Sequence, residues 1–267
     1  MEFSHLIGYF LAVIVGITLG MLGSGGSILS VPILVYILNV EPILATAYSL
    51  FIVGTTALIG GIQKANQKLV DFKKVVLFGI PTLISVFITR KFIVPIIPNS
   101  IVFTDSFFIK KTVLIMIIFA IVMIFASIRM IKPLNTTIVN DDNQLNYFRI
   151  FVQGVLIGLV AGFVGAGGGF LIIPALVFMA KTPMKMAVGT SLFIVSSQSL
   201  IGFLGDLQGN QIIDWKLLII FTLCSVIGIF IGNIISKKVE AEKLKTGFGW
   251  FVLTMGIYII VKEIFLS

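Results

Sequence analysis

The sequence has little of what a water-facing surface requires. Of 267 residues, nineteen are Lys or Arg and eleven are Asp or Glu, 11% of the chain, against about a quarter in an average soluble domain. That shortage excludes a soluble fold, because charged side chains supply roughly 25–35% of a solvated surface. Cysteine occurs once, as Cys224 within an apolar run, so an intramolecular disulfide and dithiol chemistry are both excluded. Histidine also occurs once, as His5. A rhomboid-like Ser–His protease therefore lacks its base, and an intramembrane aspartyl protease lacks a second aspartate beside Asp206. No P-loop is present, so any ATP drive needs another subunit. We expect no catalytic residues, no metal ligands and no cofactor. The start, Met1-Glu2-Phe3-Ser4-His5, lacks a basic signal-peptide region, and Leu6 to Leu19 reads as a retained helix.

What the chain has is apolar length, with 58% hydrophobic residues and a mean hydropathy of +1.15. Its charges, net +8, sit at the ends of apolar runs. They read as topology determinants and not as a nucleic-acid surface. A helix needs about 20 apolar residues to cross the hydrocarbon core. Charge-free windows of suitable kind are Phe3–Val40, Pro42–Gln63, Val75–Thr89, Thr112–Ser127, Ile150–Ala180, Met186–Gly205, Leu217–Ser236 and Thr246–Val261.

Two windows exceed one helix, and glycine breaks both. The first holds Gly23, Ser24, Gly25, Gly26 and Ser27, with Pro32 downstream. The second holds Gly165, Ala166, Gly167, Gly168 and Gly169, with Pro174 downstream. The offset is 142 residues throughout. It extends to Ala12, Gly16 and Gly20 against Gly154, Gly158 and Gly162, to Ser49-Leu50-Phe51-Ile52-Val53 against Ser191-Leu192-Phe193-Ile194-Val195, and, shifted by one, to Asp71-Phe72-Lys73 against Asp214-Trp215-Lys216. The chain is an internal duplication: residues 1–131 form the first transmembrane repeat, 132–147 a cytoplasmic linker, and 148–267 the second repeat.

Charge sets the orientation of the halves. Loop Gln63–Lys74 carries Lys64, Lys68, Lys73 and Lys74, whereas its equivalent Gly205–Trp215 has two aspartates and no base. Cytoplasmic loops are enriched in Lys and Arg, so equivalent loops face opposite sides. Thirteen of the nineteen basic residues then lie inside, while Arg90, Lys91, Lys110 and Lys111 fall outside without explanation. The expected fold is an all-α polytopic membrane protein of two inverted repeats. Each is a glycine-broken hairpin plus three transmembrane helices, with 8–10 helical elements in all. The thirty-one residues of Ile150–Ala180 are too few for two full crossings, which favours short or re-entrant helices at the breaks.

Irregular backbone at membrane depth survives only where protein or a wet cavity satisfies it. Paired breaks of this kind point to a transport site near the midplane. The segments Ile28 to Leu38 and Phe170 to Met179 read as short helices whose first N–H groups attract anions. The glycines let a ligand approach the backbone without meeting a Cβ, and Ser24 and Ser27 add hydroxyls. In the next spans Ser49, Thr55 and Thr56 match Ser191, Ser197 and Gln198, and Thr190 precedes Ser191; with both glycine clusters they complete the expected substrate-binding set. Pro32 and Pro174 are structural. Asp71 and Asp214 read as helix N-caps.

These features resemble the TauE/SafE family, the sulfite-exporter-like or toluene sulfonate uptake permeases. The resemblance rests on the two glycine breaks with their prolines, Gly189-Thr190-Ser191-Leu192, and the two Asp-aromatic-Lys helix starts, and it spans nearly the whole chain. It implies a multi-pass permease of a prokaryotic-type plasma membrane, moving small organic or sulfur-containing anions such as sulfite, sulfonates or sulfoacetate. The first repeat departs from the family pattern, with Ala47-Tyr48-Ser49-Leu50 for Gly-Thr-Ser-Leu. The expected partners are a small anionic substrate and the lipid bilayer, with no nucleic acid and a homodimer as one open assembly. An anion channel, or a transporter of a short carboxylate or other small solute, is the alternative.

Overall fold

The structure is a computed structural model that describes residues 2–23, 28–98, 100–104, 107–131, 147–164, 172–173, 176, 182–207, 213–236 and 241–265. The first half runs through α1 (Glu2–Leu22), α2 (Ser30–Tyr36), α3 (Pro42–Asn66) and α4 (Phe72–Ile88). A π-helical turn at Thr89–Ile93 then leads into the short α5 (Val94–Ile96). Strands β1 (Ser100–Thr104) and β2 (Phe107–Lys110) pair antiparallel before α6 (Lys111–Ile131). The second half contains α7 (Tyr147–Val164), α8 (Met184–Asp206), α9 (Trp215–Ile235) and α10 (Ala241–Phe265). Among the described residues, five helical stretches are long and apolar enough to cross a membrane: Ser4–Leu22, Pro42–Asn66, Phe72–Ile96, Lys185–Asp206 and Trp215–Ile235.

Helix starts follow from local chemistry. Glu41 caps α3 by accepting from the Leu44 N–H (3.2 Å), with Pro42 at the first helical position, where its missing donor costs nothing. Asp71 caps α4 through the Lys74 N–H (3.2 Å) and Asp214 caps α9 through the Leu217 N–H (3.0 Å), as the sequence predicts. Pro32 lies in the first turn of the buried α2, where the helix has no N–H bond to lose. That helix is shorter than the expected Ile28 to Leu38.

The all-α class holds, and two features go beyond what the sequence predicts. Ile101-Val102-Phe103 and Phe107-Phe108-Ile109 form a two-stranded antiparallel pair between helices, consistent with the strand preference of β-branched and aromatic residues. The third span also runs past the charge-free window that ends at Thr89. It continues to Ile96, and Arg90 within it is buried.

The two halves interlock. Helix α1 packs along α9, and α7 packs along α4; α3 packs on α8, and α6 on α10. Glycine sets the closest approaches. A Cβ at Gly16 would lie 1.9 Å from the Ser225 carbonyl oxygen, and one at Gly158, its repeat equivalent, 2.5 Å from that of Thr82. Small residues serve this purpose in lipid, where dispersion and polar contacts replace the hydrophobic drive between helices. Hydroxyls cross the same seams: Ser225 Oγ donates to the Ala12 carbonyl (3.1 Å) and Ser85 Oγ to that of Val155 (2.8 Å). Ile172 and Leu176 are fully buried, like Ser30 and Leu34 at the matching positions of the first half. On the outside, Leu6, Phe10, Ile84, Leu156, Leu223 and Ile227 are exposed, an apolar surface suited to lipid.

Candidate functional site at the first glycine break

Helix α1 ends at Gly23, whose φ of +65° lies in the left-handed region that glycine enters without a Cβ penalty. A Cβ there would also stand 3.0 Å from Ser191 Oγ and 3.1 Å from the Val188 carbonyl oxygen. The beginning of the first break therefore abuts α8 of the other half. Just beyond the break, Ser30 and Ser49 share a short hydroxyl–hydroxyl hydrogen bond. Ser49 and Ser191, matched by the repeat, thus meet the two flanks of one break. Ser191 Oγ donates to the Val188 carbonyl (2.8 Å), which leaves its oxygen lone pairs beside Gly23.

The other expected site residues divide into three groups. Thr56 and Gln198, equivalent positions on α3 and α8, are fully buried, and Thr56 Oγ1 makes no hydrogen bond among the described residues. Ser199, not anticipated from the sequence, is also buried, with its Oγ unpaired among the described residues. Thr55 and Ser197 are half-buried, and Ser197 Oγ donates to the Phe193 carbonyl (2.9 Å). Thr190 faces a helix start: its Oγ1 accepts from the Asp71 N–H (3.0 Å). Tyr48, at the matching position, accepts from the Asp214 N–H through its phenolic oxygen. The residue that breaks the family pattern thus makes the same cross-half bond as its threonine counterpart, with a longer side chain. Ser24, Gly25, Gly26, Ser27, Gly165, Ala166, Gly167, Gly168, Gly169 and Pro174 lie outside the described residues.

The sequence reading missed a buried ion pair. Arg90, on the π-helical turn after α4, is 2% exposed; its Nη1 lies 3.2 Å from Asp206 Oδ2 and donates to Thr46 Oγ1 at 2.9 Å. Asp206 is the last residue of α8, so the pair joins the halves. At the other end of α3, Lys64 is buried and its Nζ donates to Ser236 Oγ (3.5 Å), while Asn233 Nδ2 donates to Gln63 Oε1. Repeat arithmetic carried the signal: Lys64 precedes Asp206 by 142 residues, and Asn233 follows Arg90 by 143. The two clusters occupy equivalent places in the two halves.

Interlocked halves, crossing-length apolar helices and polar groups buried at an irregular helix end define a polytopic membrane protein of the transporter class. The family model described as "Sulfite exporter TauE/SafE" matches residues 9–259. The chain belongs to this family. It is 28% identical to a probable membrane transporter protein of Xylella fastidiosa strain Temecula1, covering 94% of this chain and 92% of the relative. It is also 28% identical to one of Methanocaldococcus jannaschii, covering 98% of each chain. Identity to the probable membrane transporter protein YunE of Bacillus subtilis is 24%, over 98% of this chain and 99% of that protein. No solved structure matches.

Proposed function

We propose that this protein is a secondary permease of the plasma membrane that moves a small sulfur-containing or organic anion, with sulfite, sulfonates and sulfoacetate as the substrate class, and that it catalyses no chemical step. The observation that carries this reading is the meeting of Gly23 with Ser191. An irregular helix end in one half faces a hydroxyl from the other, so motion of the halves would open or close the anion's seat. The seat consists of backbone N–H donors around both breaks and the hydroxyls of Ser24 and Ser27, with Thr56, Gln198 and their neighbours extending it between α3 and α8; Ser191, whose hydrogen is committed to the Val188 carbonyl, holds the break in place and does not itself donate to the anion. Binding by neutral donors holds an anion reversibly, because no cation sits in the glycine segments to retain it.

Inversion of the halves is supported by which helix ends meet. Asp71 and Thr190 share one end with Lys64 and Ser236, while Asp214 and Tyr48 share the opposite end with Arg90 and Asp206. The first end carries Lys64, Lys68, Lys73, Lys74 and Lys185 and faces the cytoplasm by the positive-inside rule. Single cysteines placed at positions 66 and 210 test this: an impermeant thiol reagent outside the cell labels position 210 alone, and the reverse pattern overturns the inverted topology.

Counterflow in proteoliposomes over sulfite, sulfonates, sulfate and short carboxylates tests the function. Saturable exchange of at least one of these is expected, non-saturating flux would identify a channel, and absence of flux would remove the transport reading. Gly25→Val and Gly167→Val should each abolish exchange while leaving membrane insertion intact; normal transport in both removes the glycine segments from the site.

A further inference from the structure

We infer that Arg90 is a second anion seat, a buried guanidinium that receives one oxyanion group of the permeant solute side-on. The inference rests on the anion-permease reading above and adds to it a named cation and a class of headgroup. An ionisable side chain within a membrane-spanning segment is expensive and marks a solute path more often than a structural accident. Arg90 lies in the span Phe72–Ile96 and is 2% exposed.

The disposition of its donors is the main observation. Guanidinium is planar and presents its hydrogens along separate edges. Nη1 is committed to Thr46 Oγ1 and to the charge of Asp206. Nε and Nη2, which together make the edge that grips two oxygens at once, have no hydrogen-bond partner among the described residues. Buried donors without partners are rare, and each such group calls for an explanation. Here the unpaired donors are the two that form one bidentate fork. A carboxylate or sulfonate matches that fork with two oxygens; a monatomic anion does not.

The surroundings fit a seat that must also release. Asp206 Oδ2 lies 3.2 Å from Nη1 yet accepts no aligned hydrogen bond. It neutralises Arg90 without occupying the fork, and it repels an arriving anion enough to keep residence short. Gly205, whose added Cβ would meet Arg90 Cβ at 3.3 Å, lets α8 come close enough to hold this arrangement. Arg90 follows Thr89, which packs on Gly162 of α7, three residues before the second glycine cluster in the sequence. The turn that carries Arg90 is π-helical, a form concentrated at functional sites. At the equivalent place in the other half Asn233 replaces arginine, so the seat belongs to one end of the protein.

The test uses the full-length protein in proteoliposomes, with sulfoacetate counterflow for KM and turnover. The thermal midpoint of the purified protein, with sulfoacetate or chloride added, reports binding directly. Arg90→Gln alone strands Asp206 and risks misfolding, so the informative variant is the neutral pair Arg90→Gln with Asp206→Asn. It is expected to fold, to raise KM for sulfoacetate on the order of tenfold or more through loss of a charged fork, and to lose the sulfoacetate-specific rise in midpoint. Arg90→Lys, which keeps the charge without the fork, should also raise KM for sulfoacetate. Asp206→Asn alone should lower KM and slow turnover, since the repulsion that aids release is gone. A paired variant with wild-type KM and midpoint response overturns the Arg90 seat and leaves the permease standing. Absence of exchange by the wild-type protein across the whole anion panel overturns the permease itself.

Discussion

The seams α1–α9 and α4–α7 are equivalent by the repeat but are not built alike. Along α1–α9, Gly16 and Gly20 lie against Gly228 and Gly232, and backbone meets backbone. Along α4–α7, Gly158 lies against the Thr82 backbone and Ser85 Cβ, while Gly154 and Gly162 meet the side chains of Pro81 and Thr89, so glycine on one helix meets side chains as well as backbone on the other. The first seam has no soft atom to yield. The second has hydroxyls, an internal proline at Pro81 and the π-helical turn at its end. On the permease reading proposed above, in which the halves shift against each other, the α1–α9 seam reads as the rigid pairing and the α4–α7 seam as the one able to adjust. The buried charge of Arg90 lies on the adjustable side.

Alanine at Gly228 gives the largest expected effect. Its Cβ would stand 2.1 Å from the Val13 carbonyl oxygen and 2.9 Å from Gly16 Cα. Backbone cannot move aside cheaply, so Gly228→Ala should cost at least about 1–3 kcal/mol, the usual penalty of overpacking, despite alanine's higher helix propensity. Gly162→Ala, which meets the Thr89 side chain at 2.6 Å, should cost less. Thermal midpoints of the two purified variants rank the seams; a smaller loss at Gly228 than at Gly162 would reverse the assignment of rigid and adjustable sides.

Next in size are the cross-half hydroxyl bonds. Tyr48→Phe and Thr190→Val each remove the acceptor of a backbone N–H at a helix start, that of Asp214 or Asp71. Leaving such a donor unpaired costs about 1–3 kcal/mol when water cannot reach it. Asp214 is more exposed than Asp71, so Tyr48→Phe should be the milder of the two. Equal midpoints for both variants and wild type would show that water replaces both bonds.

Most of the architecture was legible because the repeat wrote it twice. A single Gly-Ser-Gly-Gly-Ser is weak evidence, but the same pattern 142 residues on, with Asp71 matched to Asp214 and Ser49 to Ser191, placed the helix starts; which helices pack together was not read from the sequence. The hairpin at 100–110 was hidden because a short apolar run flanked by polar residues looks the same as the frayed end of a helix. Arg90 and Asp206 were hidden for a different reason. Charge-free windows treat every ionised residue as a boundary, whereas two opposite charges from different halves neutralise each other across space. Spacing along one chain does not reveal that pairing unless the repeat is used to ask what lies opposite Lys64 and Asn233.

The smallest expected difference isolates side-chain stiffness within the same symmetry. Gly60 and Gly202 are equivalent, and an added Cβ at each meets an equivalent residue of the neighbouring helix: Ile229 Cδ1 at 2.2 Å for Gly60, Val86 Cγ1 at 2.7 Å for Gly202. Distance alone makes Gly60→Ala the worse substitution. Rotational freedom reverses the order, because the δ-methyl of isoleucine swings away about χ2, whereas valine's methyls turn only with χ1, which is nearly fixed in a helix. Gly202 also has Leu50 Cδ1 at 3.2 Å, which narrows the room to adjust. Helix propensity favours alanine by about 1 kcal/mol at either site, so Gly60→Ala should come out near neutral and Gly202→Ala mildly destabilising, by roughly 1 kcal/mol. Should Gly60→Ala prove the more damaging, the contact at Ile229 is held by its surroundings, and the α3–α9 packing joins α1–α9 in the rigid part of the molecule.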